Sequence, residues 1–506
     1  MTTNASSSET LVNSSTPSPT TENGLPDHPK TLSEQDRQTL EKNPFYQDLA
    51  DKSAVVGVTE DGRPVISLSN LAFKTRSPTA PSFLGTKPQQ PILSFYQELL
   101  KADVPLNEIA TELTKHKNTQ IQEGLFSQNF FTVSGSSVEG IVQDPNTGAQ
   151  KNAILWCINH YTGLNRDPRV IQAAQKALAQ YGTSAGTSAM SCGHNSLHKH
   201  LEIKLASLVG KEDALYFPTG YSTNLGAISG LATKKDLIIF DRESHASIID
   251  GIRLSGATFL SFRHNDVNDL EKKLSSIKDQ FLNVFVVVES AYSMSGDLAP
   301  LQAICELKKQ FKFFLYVDEA HTFGFYGQRG AGLCSELGVT EQVDFLMSTL
   351  SKATASVGGF IACAKKFRAL LEWAANAYIF QAACSPADTA AVIASLEILE
   401  KDSSITKRLH QNNIYMRTLL LESGFELGHS KSPVIPIFID NEEALLKASQ
   451  SLLNAGIFTV SVVYPAVKRG NGRLRFIVTA NHTFQQIEKT VQKLKDLVLP
   501  IAKKRI

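Results

Sequence analysis

The chain has 506 residues, with 50 Lys+Arg against 49 Asp+Glu, 42% hydrophobic and 8% aromatic residues. That length exceeds one ordinary core and predicts a large domain with a smaller one. The near-neutral balance lacks the basic footprint that nucleic-acid binding requires. No run of 18 apolar residues occurs, and the densest stretch, Phe281 to Val288, is only strand length, so no membrane span is expected. The six cysteines lie at least 21 residues apart and form no Cys-x-x-Cys. This is the usage of a reduced, cytoplasmic protein with packed thiols, not of a disulfide framework or a zinc site.

Twelve of the first 21 residues are Ser or Thr, and no basic residue precedes Lys30. Residues 1–35 are therefore expected to be a disordered tail, with neither the apolar core of a signal peptide nor the arginines of a transit peptide. Residues 36–150 are predicted to form a mostly helical extension. Helical spacing runs over Ser33–Ala54 and Gln90–Lys117, and two short strands in "VVGVTEDGRPVISL" join at Asp61-Gly62. Over residues 151–395 helical patterns alternate with apolar runs, the signature of a parallel sheet covered by helices. The predicted strands are 214–217, 236–240, 283–288, 313–317, 344–348 and 358–364. Residues 396–506, with strands at 434–439 and 473–479, are expected to be a smaller C-terminal α/β domain.

A polar cluster follows each of the first five strands: Thr219 to Thr223, Asp241 to His245, Glu289 to Ser293, Asp318 to His321, and Thr349 to Lys352. Ligands of open α/β sheets sit beyond the carboxyl ends of the strands, so these clusters are expected to converge on one crevice. Any one of them could be polar merely because loops are solvated. "GTSAG" at 182–186 matches a nucleophile elbow but follows a helical pattern, not a strand. His194 and His198 are spaced i, i+4 without the Glu of a metalloprotease helix, so a structural or substrate-facing role at a helix start is preferred and no metal is expected. Lys352 sits among hydroxyls with no neighbouring acid, where an amine can be desolvated and nucleophilic. Asp318 ends an apolar strand and needs a cation to be buried, and a protonated pyridine nitrogen is one. An amine, that carboxylate and a helix start able to bind phosphate are the parts that pyridoxal phosphate asks of a protein.

These residues, with "GLNRDPRVIQAA", "GHNSLHKHLE", "FPTGYSTNLG", "DRESHASIIDGIRLSGA", "ESAYSMSGDLAPL", "LYVDEAHTFGFYGQRGAG", "STLSKATASVGGFIA" and "RLRFIVTANHT", resemble the α-oxoamine synthases. These are fold type I pyridoxal-phosphate enzymes that include 8-amino-7-oxononanoate synthase, 2-amino-3-ketobutyrate ligase, 5-aminolevulinate synthase and serine palmitoyltransferase. The resemblance implies Lys352 as the Schiff-base lysine and α-proton base, and Asp318 as partner of the pyridinium nitrogen. His245 would stack on the ring, and His321 would lie near the cofactor hydroxyl and the acyl carbonyl. Gly220, Tyr221 and Thr349 would hold the phosphate, and Ser293 would lie beside Asp318. Arg475, with Asn159 nearby, would grip the amino-acid carboxylate, and Ser188 would belong to the substrate site.

The implied reaction is decarboxylative Claisen condensation of an amino acid with an acyl thioester on coenzyme A or an acyl carrier protein, in a homodimer. An aminotransferase of the same fold and a non-catalytic subunit of a heterodimeric serine palmitoyltransferase-like enzyme are the alternatives. Three departures from the family pattern stand out. They are Thr162 in "NHYTG" where Leu is usual, Ala189 where an arginine often serves a carboxylated acyl group, and Gln381-Ala382 where a hydroxyl pair is common.

Overall fold

The computed structural model describes residues 38, 55–58, 64–66, 89–102, 104–126, 130–277 and 281–502. The expected tail lies outside them, as does the helix over Ser33–Ala54 except for Gln38, which is helical. Residues 1–85 and 86–506 form two units. In the first, β1 (Val55–Val58) and β2 (Pro64–Ile66) pair antiparallel, as the sequence predicts.

The second unit begins with two helices, Ile92–Lys101 and Leu106–Gln122, where one was expected. Pro105 has no N–H to continue a helix and instead stands at the start of the second one. The mostly helical expectation also gives way after residue 130. There β3 (Phe131–Thr132), β4 (Glu139–Gln143) and β5 (Gln150–Leu155) form antiparallel pairs, and the expected boundary at 150/151 falls inside β5.

The large sheet comprises β6 (Asp213–Phe217), β7 (Leu237–Asp241), β8 (Thr258–Phe262), β9 (Val284–Glu289), β10 (Phe314–Asp318), β11 (Phe345–Thr349) and β12 (Gly359–Cys363). Their order is β6-β12-β11-β10-β9-β7-β8, and β12 alone runs antiparallel to its neighbours. This is the mainly parallel sheet expected. Side chains alternate between its faces: Leu215 and Phe217 pack with Ile228, Ile248 and Leu371, whereas Ala214 and Tyr216 join the main core. Burial on both faces explains why "VFVVVE" and "FLYVD" carry almost no polar residue before their last position. β8 was missed because it is an edge strand with Phe259 and Leu260 exposed.

The remaining strands, β13 (Val434–Phe438), β14 (Ile457–Phe458), β15 (Val460–Val462) and β16 (Arg473–Ile477), divide between two small sheets. One has the order β13-β16-β15, and the other is β14-β5-β4-β3. No helix among the described residues is long and apolar enough to cross a membrane.

Candidate active site

The chain enters the large sheet at β6, crosses to β7 and β8, and returns through β9, β10 and β11. The carboxyl ends of β6, β7, β9, β10 and β11 therefore point the same way. All five polar clusters contribute to one cavity of about 270 Å³. Its walls include Gly220, Tyr221, His245, Glu289, Asp318, His321, Thr349 and Lys352.

At one side lies the start of helix Gly220–Leu231. Thr219 and Ser222 cap it reciprocally: Ser222 N donates to Thr219 Oγ1 at 3.0 Å and Thr219 N to Ser222 Oγ at 3.2 Å. A Cβ on Gly220 would fall 2.6 Å from Thr349 Cβ, so only glycine lets the helix start approach the end of β11 this closely. Tyr221 is 44% exposed and its hydroxyl donates to Asp250, while its backbone N–H, in the first turn of the helix, has no intrahelical acceptor.

Asp318 is held by two donors: Asn224 Nδ2 at 2.8 Å from Oδ2, and Ala320 N at 2.9 Å from Oδ1. The register of β9 and β10 sets Glu289 opposite it. Burial, then the Asp318 charge, push the Glu289 carboxyl well up, while the His245 N–H donated to its Oε1 at 2.5 Å works the other way. The buried Asp318 carboxylate makes this end of the cavity a place for a cation. His245 Nδ1 lies 2.8 Å from Ser247 Oγ, and burial pulls its imidazole down.

Lys352 is half-buried; its carbonyl accepts Ala355 N at 3.0 Å, while its amine makes no hydrogen bond or ion pair within the described residues. Burial pushes its ammonium down to about 8; Asp318 and Glu289 oppose that, and Arg475 adds to it. An amine of that acidity is partly neutral, hence nucleophilic, near neutral pH.

A second group lies beside the cavity wall. Arg475 is 8% exposed and donates from Nε to Ser293 O at 2.6 Å and from Nη2 to Asn159 Oδ1 at 3.3 Å. Ser293, expected beside Asp318, is not among the residues that line the cavity, and its carbonyl meets Arg475. The chain turns after Glu289 into a hairpin closed by the Ala291–Leu298 bridge, which carries Ser293 to Arg475, and Ser290 instead donates to the Asp318 carbonyl. Ser188 is likewise outside the cavity lining; it pairs with Ala382, which sets two of the departures from the family pattern side by side. Thr162, the third, donates its hydroxyl to the carbonyl of Ala353, next to Lys352.

His194 and His198 stack at 4.6 Å, and both nitrogens of His198 are engaged, with Asn195 Oδ1 and Cys384 O. Asn224 and Ser247 were given no role from sequence, and Glu289 none beyond its place in the third polar cluster. Asn224 stands at i+4 from Gly220, on the same helical face, which was the available signal.

The donor set suits a phosphorylated aldehyde with a basic ring nitrogen: amine, carboxylate and an uncluttered helix start in one cavity. Residues 151–494 match the family described as aminotransferase class I and II. The chain is 40% identical over 344 residues to a serine palmitoyltransferase of Sphingobacterium spiritivorum, covering 68% of this chain and 86% of that protein. It is 35% identical over 359 residues to an 8-amino-7-oxononanoate synthase of Alkaliphilus oremlandii, covering 70% and 91%. A solved structure of SPT with PLP internal aldimine is similar at a TM-score of 0.73 and 31% identity, over 80% of this chain and 98% of that one.

Proposed function

The chain belongs to the α-oxoamine synthases of the aminotransferase class I and II family, which depend on pyridoxal phosphate, and from that premise we propose that it condenses an α-amino acid with an apolar acyl thioester. The products would be an α-aminoketone, carbon dioxide and the free thiol. The observation that carries this reading is the shared cavity of Lys352, unpartnered and only weakly basic, and Asp318, fixed by two donors.

When bound, pyridoxal phosphate supplies an aldehyde that takes a primary amine and a protonated ring that withdraws the electron pair left by C–H or C–C cleavage. Lys352 would hold the aldehyde carbon and, once released by the substrate amine, remove the α-proton. Asp318 would keep the ring nitrogen protonated, and His245 would cover the ring face. The first N–H groups of helix Gly220–Leu231, including that of Tyr221, would bind the phosphate beside Thr349. Arg475, kept in place by Ser293 and Asn159, would pair with the amino-acid carboxylate. An apolar acyl group is supported by Ala189 and Met190, which pack against a buried apolar cluster where a carboxylated chain would need an arginine. The donor is read as a coenzyme A or carrier-protein thioester, and the working unit as a homodimer.

The test is a thiol-release assay across amino acids and acyl thioesters, with visible absorbance of the bound cofactor followed in parallel. Thiol release is expected with at least one long apolar thioester. Both release and the lysine-dependent absorbance should vanish in Lys352→Ala, and Asp318→Asn should cost about as much turnover as the lysine variant. Keto-acid formation with no thiol release from any pair would replace this reading by an aminotransferase.

A further inference from the structure

Tyr161 is fully buried, and its hydroxyl lies 2.6 Å from Nδ1 of His321. The two rings meet edge to face, with centroids 6.0 Å apart at 79°. The tyrosine cannot readily move away. Its ring packs on Phe325 at 4.6 Å, its N–H reaches Asn159 O at 2.9 Å, and its carbonyl accepts Ala480 N at 2.7 Å.

The direction of this hydrogen bond is decided by counting hydrogens. A phenol has one, and burial raises the Tyr161 ionisation so far that the hydroxyl keeps it. Burial, with the charges of Lys352, Arg475 and His245, pulls the His321 imidazolium well down, so the ring is neutral and carries a single N–H. Were that N–H on Nδ1, it would point at the phenol oxygen. The phenol hydrogen would then be stranded, because the hydroxyl has no other partner among the described residues. A donor stranded in the interior forfeits the hydrogen bond it made to water in the unfolded chain, so this arrangement is disfavoured. With Nδ1 as acceptor the phenol hydrogen is satisfied, and the N–H sits on Nε2, which makes no hydrogen bond within the described residues but belongs to a side chain lining the cavity, where solvent or a ligand can accept it.

We propose that Tyr161 is a positioning residue that fixes His321 as its Nε2–H tautomer, so that His321 serves as a hydrogen-bond donor to the acyl carbonyl oxygen and not as a proton acceptor. The identity of the oxygen rests on the condensation reading above; the tautomer does not. The assignment also gives Tyr161 and Asn159 a common logic, since two residues apart they orient the histidine and the arginine of one site.

The experiment has two arms. In the first, long-range proton–nitrogen correlation spectra are recorded on histidine-labelled holoenzyme, with the His321 signals assigned by their loss in His321→Gln. A neutral ring protonated on Nε2 from pH 6 to 8 is expected, and a ring protonated on Nδ1 or on both nitrogens overturns the proposal. In the second, thiol release is measured for Tyr161→Phe, His321→Ala and the double variant. Tyr161→Phe is expected to retain its cofactor and lose about ten- to hundredfold in kcat, with no further loss when added to His321→Ala. An unchanged rate, or losses that multiply in the double variant, overturns it. Should no thioester react at all, the condensation reading fails while the spectra still decide the tautomer.

Discussion

Asn224 is the residue on which the carboxylate end of the cavity depends. Its amide donates to Asp318 Oδ2 at 2.8 Å and to Ser247 Oγ at 3.0 Å, and its carbonyl accepts the Tyr316 hydroxyl at 2.8 Å. Every neighbour but one is fully buried, so removing the amide leaves Asp318 and the Tyr316 hydroxyl each short of a partner. At about 1–3 kcal/mol per stranded group, Asn224→Ala should weaken cofactor retention about ten- to hundredfold and lower the melting temperature. Asn224→Asp keeps the shape but sets a carboxylate against Asp318, and should do at least as much damage. Dialysis against graded pyridoxal phosphate checks both, and retention as tight as in the unaltered protein in the aspartate variant would show that the amide contributes shape alone. Lys352, Asp318 and His245 were legible in sequence because each chemical type stands out at a strand end. Asn224 was not, because its role exists only where its helix crosses β10.

Two glycines let the start of helix Gly220–Leu231 lie against the sheet. A Cβ on Gly359 of β12 would fall 2.7 Å from Gly220 Cα, and one on Gly220 would fall 2.6 Å from Thr349 Cβ of β11. Gly220→Ala must push the helix start away from Thr349, since the obstacle is the stiff root of a β-branched side chain. Overpacking of this kind costs about 1–3 kcal/mol. The variant should fold with a modestly lower melting temperature but lose pyridoxal phosphate affinity disproportionately, and equal affinity would show that the phosphate does not depend on this helix start. Among the elements, those with a strong local signal were legible: the helix start that follows β6 and the apolar runs of β9 and β10. The five strand ends were expected to converge, and they do. β8 escaped notice as an exposed edge, and β3, β4 and β14 are too short or too polar for periodicity to mark.

Pairings between distant parts of the chain were the least legible, because no local pattern encodes a register across some 300 residues. β14 runs parallel to β5, Trp156 Nε1 donates to Thr490 Oγ1 at 3.1 Å, and Ile477 N reaches Trp156 O at 2.8 Å. Residues 131–158 are therefore built into the C-terminal elements and are not part of a separate extension. His264 does comparable work across the large sheet. From the turn after β8, its Nδ1 lies 3.0 Å from Asp241 Oδ1 at the end of β7 and its Nε2 3.2 Å from Asp297 Oδ2 in the hairpin after β9, with the Tyr292 ring edge-on at 4.4 Å. Burial alone would lower its pKa, but the hydrogen bonds to Asp241 and Asp297, and the charges of Asp241 and Glu243, push it up to about 10. A folded-state value above the unfolded one of about 6.5 stabilises the fold fully below that pH, and the stabilisation is lost as pH rises toward 10. The loss can be no steeper than about 1.4 kcal/mol per pH unit. The urea-unfolding gap between the unaltered protein and His264→Gln should accordingly be widest near pH 6 and narrow steadily to pH 10. A gap that stays constant over that range would mean that His264 joins the three strand ends without its charge.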